Sequence, residues 1–434
     1  MPIADCTPWV KAHVARSIEL WNGCAGREIP LANRFTRPQQ KTREAAYDAG
    51  VRSVEDELEN HPRTRTERAA QQDRIVASFG RFATTALGLE DDAVRMITDD
   101  LIPVGTGLAR WTRRFDPEMT KTDIIQACRN AWTACGLQPL LGRATGLTPS
   151  ILAYSLMYPY SDNYLDRDDV PAEAKSQFSA RFRERLRGDV PPPLNEREAA
   201  LWTLVGMVEE EYSRPGFPQV FDSLLAIHAA QERSIAQLKN GGRSTDAEVL
   251  EISCEKGGTS VLADAFLANG TLSEAEARFA FNWGVLLQFG DDLQDLRDDL
   301  RRQSATLFTR AVRRRRPLDA VVSQLLVFSD RVAAGMDDLP YATPMLRSLL
   351  RLSWRSLIVE AVADLRPLFT RRFLRELEPT SPFRLRFLRK RHKRLTKRQG
   401  MYESLFDVLV ENHDDQPARV PLPECRPYAA TSTG

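Results

Sequence analysis

An all-α fold is predicted by three features of the chain. Apolar residues recur at helical period in almost every long segment, no run of β-branched residues alternates at period two, and helix-start signals punctuate the sequence. Residues 1–65 are polar with Trp9, Val10, Val14, Ile18, Leu20 and Trp21 scattered among them, and Arg34–Arg43 is charged and weakly periodic, which reads as loop. Glu67–Leu87 and Asp123–Leu137 are amphipathic, the second placing Ile124, Ile125, Cys128, Trp132 and Cys135 on one side. Thr148 then Pro149 is an N-cap followed by proline at the first helical position, so a helix opens there toward an acidic segment. Pro159 falls inside it; an interior proline frees a carbonyl, and a bend at Tyr158 is expected rather than a fresh helix.

Gly188–Pro193 reads as loop, and Asn195 caps a helix carrying Trp202, Val205 and Val208. Ser213–Pro218 is a second loop, and the helix from Phe221 to Leu238 stops at Asn240-Gly241-Gly242. Asp246–Ala268 is the next helix, with Gly270 as terminator; Ser273-x-x-Glu276 is a capping box that launches another through about Asp299. Leu318–Ala334 and Met345–Leu365 complete the core. The chain divides into a 1–65 extension, helical or partly irregular, a 66–375 helical domain, and a 376–434 basic tail that is partly disordered beyond Asp414.

Two acidic segments carry the chemistry. Gly284-Val-Leu-Leu-Gln288-Phe-Gly-Asp291-Asp292-Leu-Gln-Asp295-Leu-Arg-Asp298-Asp299 places Gln288, Asp291, Asp292, Asp295 and Asp299 on one helical face, amid Phe279, Phe281, Trp283, Val285, Leu286 and Leu293. Tyr158-Pro-Tyr-Ser-Asp162-Asn-Tyr-Leu-Asp166-Arg-Asp168-Asp169 places Asp162, Asp166 and Asp169 at i, i+4 and i+7. Like charges on one face repel, and partial burial raises the cost, so apolar flanks around both segments favour a bound cation over a solvated face. Oxygen-only donors suit Mg²⁺, which is commonly shared between a few carboxylates and substrate phosphates; Mn²⁺ is the alternative. The implied ligand is a diphosphate clamped between the two faces. A third element, Cys254-Glu-Lys256-Gly257-Gly258-Thr259-Ser-Val-Leu, puts two glycines inside an apolar helical pattern at about 1 kcal/mol each against Ala, which marks either a kink or a close backbone approach.

These residues carry a family resemblance. Gly284-x-x-Leu287-Gln288-x-x-Asp291-Asp292-x-x-Asp295 resembles the second aspartate-rich motif of trans-prenyl diphosphate synthases, and Asp162-x-x-x-Asp166 resembles the first aspartate motif of squalene/phytoene synthases. Lys256-Gly257-Gly258-x-Ser-Val-Leu is most similar to the broken-helix segment of tetraprenyl-β-curcumene synthases, and Thr306-Leu307-Phe308-Thr309 is similar to the segment that follows the second motif. The likeness spans Leu147–Thr309 and implies a class I isoprenoid synthase helical bundle with a central apolar cavity. In that reading Asp162, Asp166, Asp291, Asp292 and Asp295 are the metal ligands and catalytic residues, and Lys256 meets the diphosphate as a point charge. The resemblance further implies a broken helix at Gly257–Gly258, and it leaves oligomeric state open, a homodimer being one option since many proteins of this fold class dimerise.

Ionising an allylic diphosphate leaves a carbocation that must be kept from water, and aromatic faces stabilise it by roughly 0.5–2 kcal/mol per contact. Tyr154, Tyr158, Phe279, Trp283 and Trp202 are the candidates to line the hydrocarbon site, with Gln288 beside the metal ligands, although each such aromatic is more often simple core. Arg297 and Arg301 are possible further donors. Head-to-tail elongation is disfavoured, since no basic motif for a second diphosphate lies upstream of Asp162 and Arg167-Asp-Asp-Val-Pro follows Asp166 in place of paired arginines. The Asn/Asp-x-x-Ser/Thr-x-x-x-Glu motif of microbial sesquiterpene cyclases is replaced by Asp-Asp-x-x-Asp. The expected activity is therefore a terpene cyclase acting on a linear prenyl diphosphate. The alternatives are a head-to-head prenyltransferase of the squalene/phytoene type and a non-catalytic metal-binding bundle.

Composition sets the remaining bounds. With 60 Lys+Arg against 59 Asp+Glu over 434 residues there is no global pull toward nucleic acid, no apolar window approaches a membrane span, and the N-terminus has no secretory pattern. Six cysteines without a Cys-x-x-Cys pair fit a reduced cytoplasm, and His228 on an apolar helix reads as packed core. Near the end, Arg384, Arg386, Arg389, Lys390, Arg391, Lys393, Arg394, Lys397 and Arg398 interleave with Phe383, Leu385, Phe387, Leu388 and Leu395, which suits either peripheral contact with an anionic membrane or a solvated cap on the bundle.

Overall fold

A computed structural model describes residues 8–27, 34–60, 62–167, 169–239, 244–397 and 399–411. It is all-α, with no strand among the described residues. The order begins α1 (Pro8–Asn22), α2 (Arg37–Glu59), α3 (Arg65–Phe82), α4 (Asp91–Arg95), α5 (Ile102–Phe115) and α6 (Lys121–Leu137). It continues with α7 (Pro149–Asp166), α8 (Ala172–Arg187), α9 (Glu196–Glu211), α10 (Pro218–Lys239), α11 (Asp246–Asn269) and α12 (Glu274–Gln294). The last are α13 (Leu296–Arg301), α14 (Leu307–Arg313), α15 (Asp319–Ala334), α16 (Pro344–Asp364), α17 (Arg371–Leu377), α18 (Leu385–Lys397) and α19 (Gln399–Glu411).

The predicted caps operate. Thr148, Asn195 and Ser273 each accept a hydrogen bond from the amide three residues on, and Gly270 closes α11 at φ 76°. The stretch expected as loop at Arg34–Arg43 instead enters α2, because Thr36 and Gln39 form a capping box with Pro38 in the first turn. α7 runs through Pro159 as one helix. On α6, Ile124, Cys128 and Cys135 are buried as expected, but Ile125 and Trp132 lie outside, 39 % exposed. The stop at Asn240–Gly242, Asp168 and the tail after Asp414 lie outside the described residues.

Two findings correct the expected backbone around the acidic segments. α11 is continuous where a break was expected. A Cβ on Gly257 would meet the Gly284 carbonyl and the Gln288 Cβ at 2.5 Å, and one on Gly258 would meet the Phe281 ring at 2.3 Å. The glycine pair therefore serves close packing of α11 on α12, with Gly284 as its counterpart. The acidic helix, for its part, ends at Gln294: Asp295 leaves helical geometry (φ −85°, ψ 4°) and α13 starts afresh, so Asp291, Asp292, Asp295 and Asp299 do not share one straight helical face.

α11 and α12 form the centre, flanked by α1, α6, α7, α10, α15 and α16. α1 belongs to this core: Val10 and Trp21 are buried, and the Ser17 hydroxyl hydrogen-bonds Asn282 Oδ1 at 2.7 Å. In the basic stretch Phe383, Leu385 and Leu388 are buried, Phe387 packs on Tyr47, Arg384 pairs with Glu44, and Arg391 lies 4.2 Å over the Tyr47 ring. Phe383, Leu385, Phe387 and Leu388 are thus taken up by the bundle, while Arg386, Arg389, Lys390, Lys393 and Arg394 are exposed. No helix among the described residues is long and apolar enough to cross a membrane.

Not every helical glycine is held by packing. Around Gly206, inside α9, a Cβ would meet nothing within 4 Å. Gly206→Ala is therefore expected to stabilise the fold by about 0.5–1 kcal/mol, read as a higher urea midpoint, because only the glycine's backbone freedom is lost. A lower midpoint would contradict the open space seen there.

Candidate active site

The first acidic segment ends α7 and the second ends α12, so both sets of carboxylates sit where a helix stops. Asp162 is half-buried and Asp166 exposed on α7; Asp292 is buried, while Asp291 and Asp295 are exposed. Asp169 is not on the same face: α7 has ended, and Asp169 turns out to pair with Arg167. Lys256, half-buried on α11, links the two segments electrostatically, since its charge acts on Asp162 from one side and on Asp291 and Asp292 from the other. Tyr158 senses Asp162, Asp166 and Asp291 together. Both segments therefore lie within electrostatic reach of Lys256 and Tyr158.

Burial shapes the protonation of this rim. Loss of water lifts Asp292 to about 7, with Asp299 and Asp291 adding repulsion, while Gln288 Nε2, donating to its Oδ1 at 2.8 Å, and Lys256 oppose the rise. Asp162 is also raised by burial to about 7, against Lys256. Asp299, in the following helix, is pushed up to about 6 by burial and Asp295. Asp292 Oδ2 is buried with no hydrogen-bond partner, an orphaned acceptor that a cation would satisfy. A hard, all-oxygen donor set with an unsatisfied buried carboxylate oxygen fits Mg²⁺. Among the described residues no three acidic, histidine or cysteine side chains are gathered closely enough to hold a metal as they stand, so ion binding requires the side chains to close.

The remaining predicted residues divide. Tyr154 lies on the Asp162 side of α7, and its hydroxyl donates to the Ser260 carbonyl of α11 at 3.4 Å. Phe279 and Trp283 are buried in the core, with Trp283 packed 5.4 Å from Trp354 of α16. Trp202 is elsewhere, bonded to the Pro191 carbonyl and stacked on Phe182. Arg297 and Arg301 are taken up by Asp364 and Asp298. Thr306 caps α14 through Thr309. His228 is core, beside Ser179 and Phe182.

Sequence reading missed two residues near the acidic segments. Arg129 of α6 reaches Asp291 at 3.4 Å and also acts on Asp295 and Tyr158. Asp264 is fully buried on α11; its Oδ1 accepts from Asn130 at 3.1 Å, its Oδ2 has no partner, and burial raises its carboxyl far above the ordinary value. Asn130 also reaches the Ser155 hydroxyl at 3.3 Å, so one amide ties α6 to α7 and α11. A cavity of about 710 Å³ opens on the far side of α7, lined by Phe115, Asp116, Tyr160, Tyr164 and Arg197 among others, and contains none of the predicted site residues. In comparison with known proteins, no protein-family model and no curated sequence matches the chain.

Proposed function

We propose that this protein is a terpene cyclase of the class I isoprenoid synthase type, taking a linear prenyl diphosphate to a cyclic terpene and diphosphate. The observation that carries the reading is the disposition of two separately encoded acidic segments about Lys256, with the buried Asp292 oxygen unsatisfied. In this reading Asp162 and Asp166 hold Mg²⁺ from α7, and Asp291, Asp292 and Asp295 hold it from α12. The ions supply neutralisation of charge on the departing diphosphate.

The chain's own groups do the rest. Gln288 fixes the Asp292 carboxylate through its amide. Lys256 and Arg129 offer cationic donors to phosphate oxygens, Lys256 as a point charge and Arg129 as a planar fork. Tyr154 and Tyr158, both held neutral by burial and neighbouring acids, present rings rather than charge beside the acidic rim. Phe279 and Trp283 extend the apolar interior that excludes water from a cationic hydrocarbon.

Purified protein incubated with Mg²⁺ and, separately, prenyl diphosphates of increasing length is expected to yield a chelator-sensitive cyclic hydrocarbon or alcohol from one of them, identified in hexane extracts by gas chromatography with mass detection. A linear product built from two substrate molecules would replace this reading with head-to-head condensation. No diphosphate release from any length would leave a non-catalytic bundle.

A further inference from the structure

We propose that the arginine-rich surface joining the end of α14 to the turn before α17 docks this protein on an anionic phospholipid surface. α14 ends at Arg313, the first of the unbroken run Arg313-Arg314-Arg315-Arg316. Arg310 and Arg314 are committed to Asp246 at the start of α11. Arg313, Arg315 and Arg316, joined from the facing turn by Arg366 and Arg371, are exposed and form no ion pair with a described residue.

A Schellman-type cap closes α14 and turns the chain at these charges. Arg315 sits at φ 55°, the left-handed region that glycine normally fills, and its amide donates to the Val312 carbonyl at 2.8 Å while that of Arg316 donates to Ala311 at 3.0 Å. Between the arginines lies a groove of about 280 Å³ with Val312, Pro317, Leu368 and Phe369 in its lining. The Leu318 amide, donating to the Leu368 carbonyl at 3.0 Å, ties its two walls together. Asp319, the carboxylate beside the groove, accepts from the Thr370 amide at 3.0 Å at the start of α17.

Guanidinium groups grip phosphate oxygens in bidentate fashion, and the apolar floor between them suits the headgroup boundary of a bilayer. A nucleic acid is less well matched, because Phe369, the aromatic in the lining, is buried and offers no ring for a base to stack on. The surface also lies at a meaningful place. Arg297, two residues beyond Asp295, pairs with Asp364 at 2.9 Å, and Arg366 lies two residues after Asp364, so the basic surface adjoins the acidic end of α12. Docking would hold that end against the membrane. The inference stands whether or not the chain turns over a prenyl diphosphate.

Flotation of the full-length protein with phosphatidylcholine vesicles, with and without phosphatidylglycerol, tests it. Binding is expected only to the anionic vesicles and to be released by high salt. The triple variant Arg313→Gln, Arg315→Gly, Arg316→Gln should bind at least roughly tenfold more weakly with an unchanged far-UV spectrum, as glycine accepts the backbone at 315 without strain. Arg366→Gln with Arg371→Gln, across the groove, should weaken binding independently, while Lys390→Gln with Lys393→Gln on α18 should not. Undiminished binding by both groove variants, loss confined to the α18 variant, or capture of an oligonucleotide with vesicles ignored would each overturn the proposal.

Discussion

Asp292→Asn is expected to lower diphosphate release by about 10²–10³-fold without destabilising the fold. Asn retains an acceptor for Gln288 Nε2 and removes a carboxylate whose charged form is disfavoured by burial. The sign of the accompanying pH effect follows from linkage. The Asp292 carboxyl stands at about 7 in the folded protein against its ordinary 3.8, so the folded state binds the extra proton. Stability from this group is fully present below about pH 4 and is lost as pH rises through 7. Metal-free wild type should therefore unfold more readily at pH 8 than at pH 6, while the Asn variant loses less over that interval and overtakes it at the alkaline end. Mg²⁺ should restore wild type at pH 8 and do little for the variant. Urea titrations at the two pH values, with and without Mg²⁺, read all of this; large destabilisation of the variant with unaltered turnover would mean that Asp292 is structural.

Gly284→Ala is expected to cost about 3 kcal/mol or more, the largest stability effect of any single methyl group described above. A Cβ there would lie 2.0 Å from the Gly257 carbonyl oxygen and 2.8 Å from its carbon. Both are backbone atoms of a facing helix, so no rotamer change relieves the overlap and α11 must move off α12. Since Lys256 rides on α11 and Asp292 on α12, the same movement disturbs the site, and activity should fall together with the thermal midpoint. An unchanged midpoint would show that the two helices are not held this close.

The all-α class and most helix starts were legible because they rest on local chemistry. Thr148, Asn195 and Ser273 cap where their side chains predict, and Pro149 takes the position that wants no amide donor. α2 was missed although Thr36-x-x-Gln39 was there to be read, a capping box written with glutamine. Gly257 and Gly258 show the limit of local reading: their cost is visible in the sequence, but whether a kink or a contact offsets it depends on Gly284 and Phe281 in another helix. The break at Asp295 has neither glycine nor proline to announce it.

For the site, paired carboxylates at helical spacing were conspicuous, whereas Arg129 was one arginine on an amphipathic helix with nothing to distinguish it. Asp264 could have been found. It is the lone carboxylate in Val261-Leu262-Ala263-Asp264-Ala265-Phe266-Leu267, and a charge in such a run asks for a partner or a proton. The aromatic candidates separated by helix rather than by residue type, which is why Trp202 on α9 fell away while Tyr154 and Tyr158 on α7 stayed.

The ending of α7 and α12 at the same acidic rim has a consequence for the order in which ions can arrive. Each helix carries roughly half a negative charge at its C-terminal end from its unpaired carbonyls, so two helix dipoles add their field to that of the aspartates. A diphosphate approaching this rim alone meets repulsion from backbone and side chains alike, with only Lys256 and Arg129 to draw it in. A divalent cation meets attraction from the aspartates and from both helix ends, opposed by those two side chains. If the proposed function holds, anionic substrate would be admitted with its counter-ions or after them, the metal-free rim acting as an electrostatic turnstile that passes charge of one sign first.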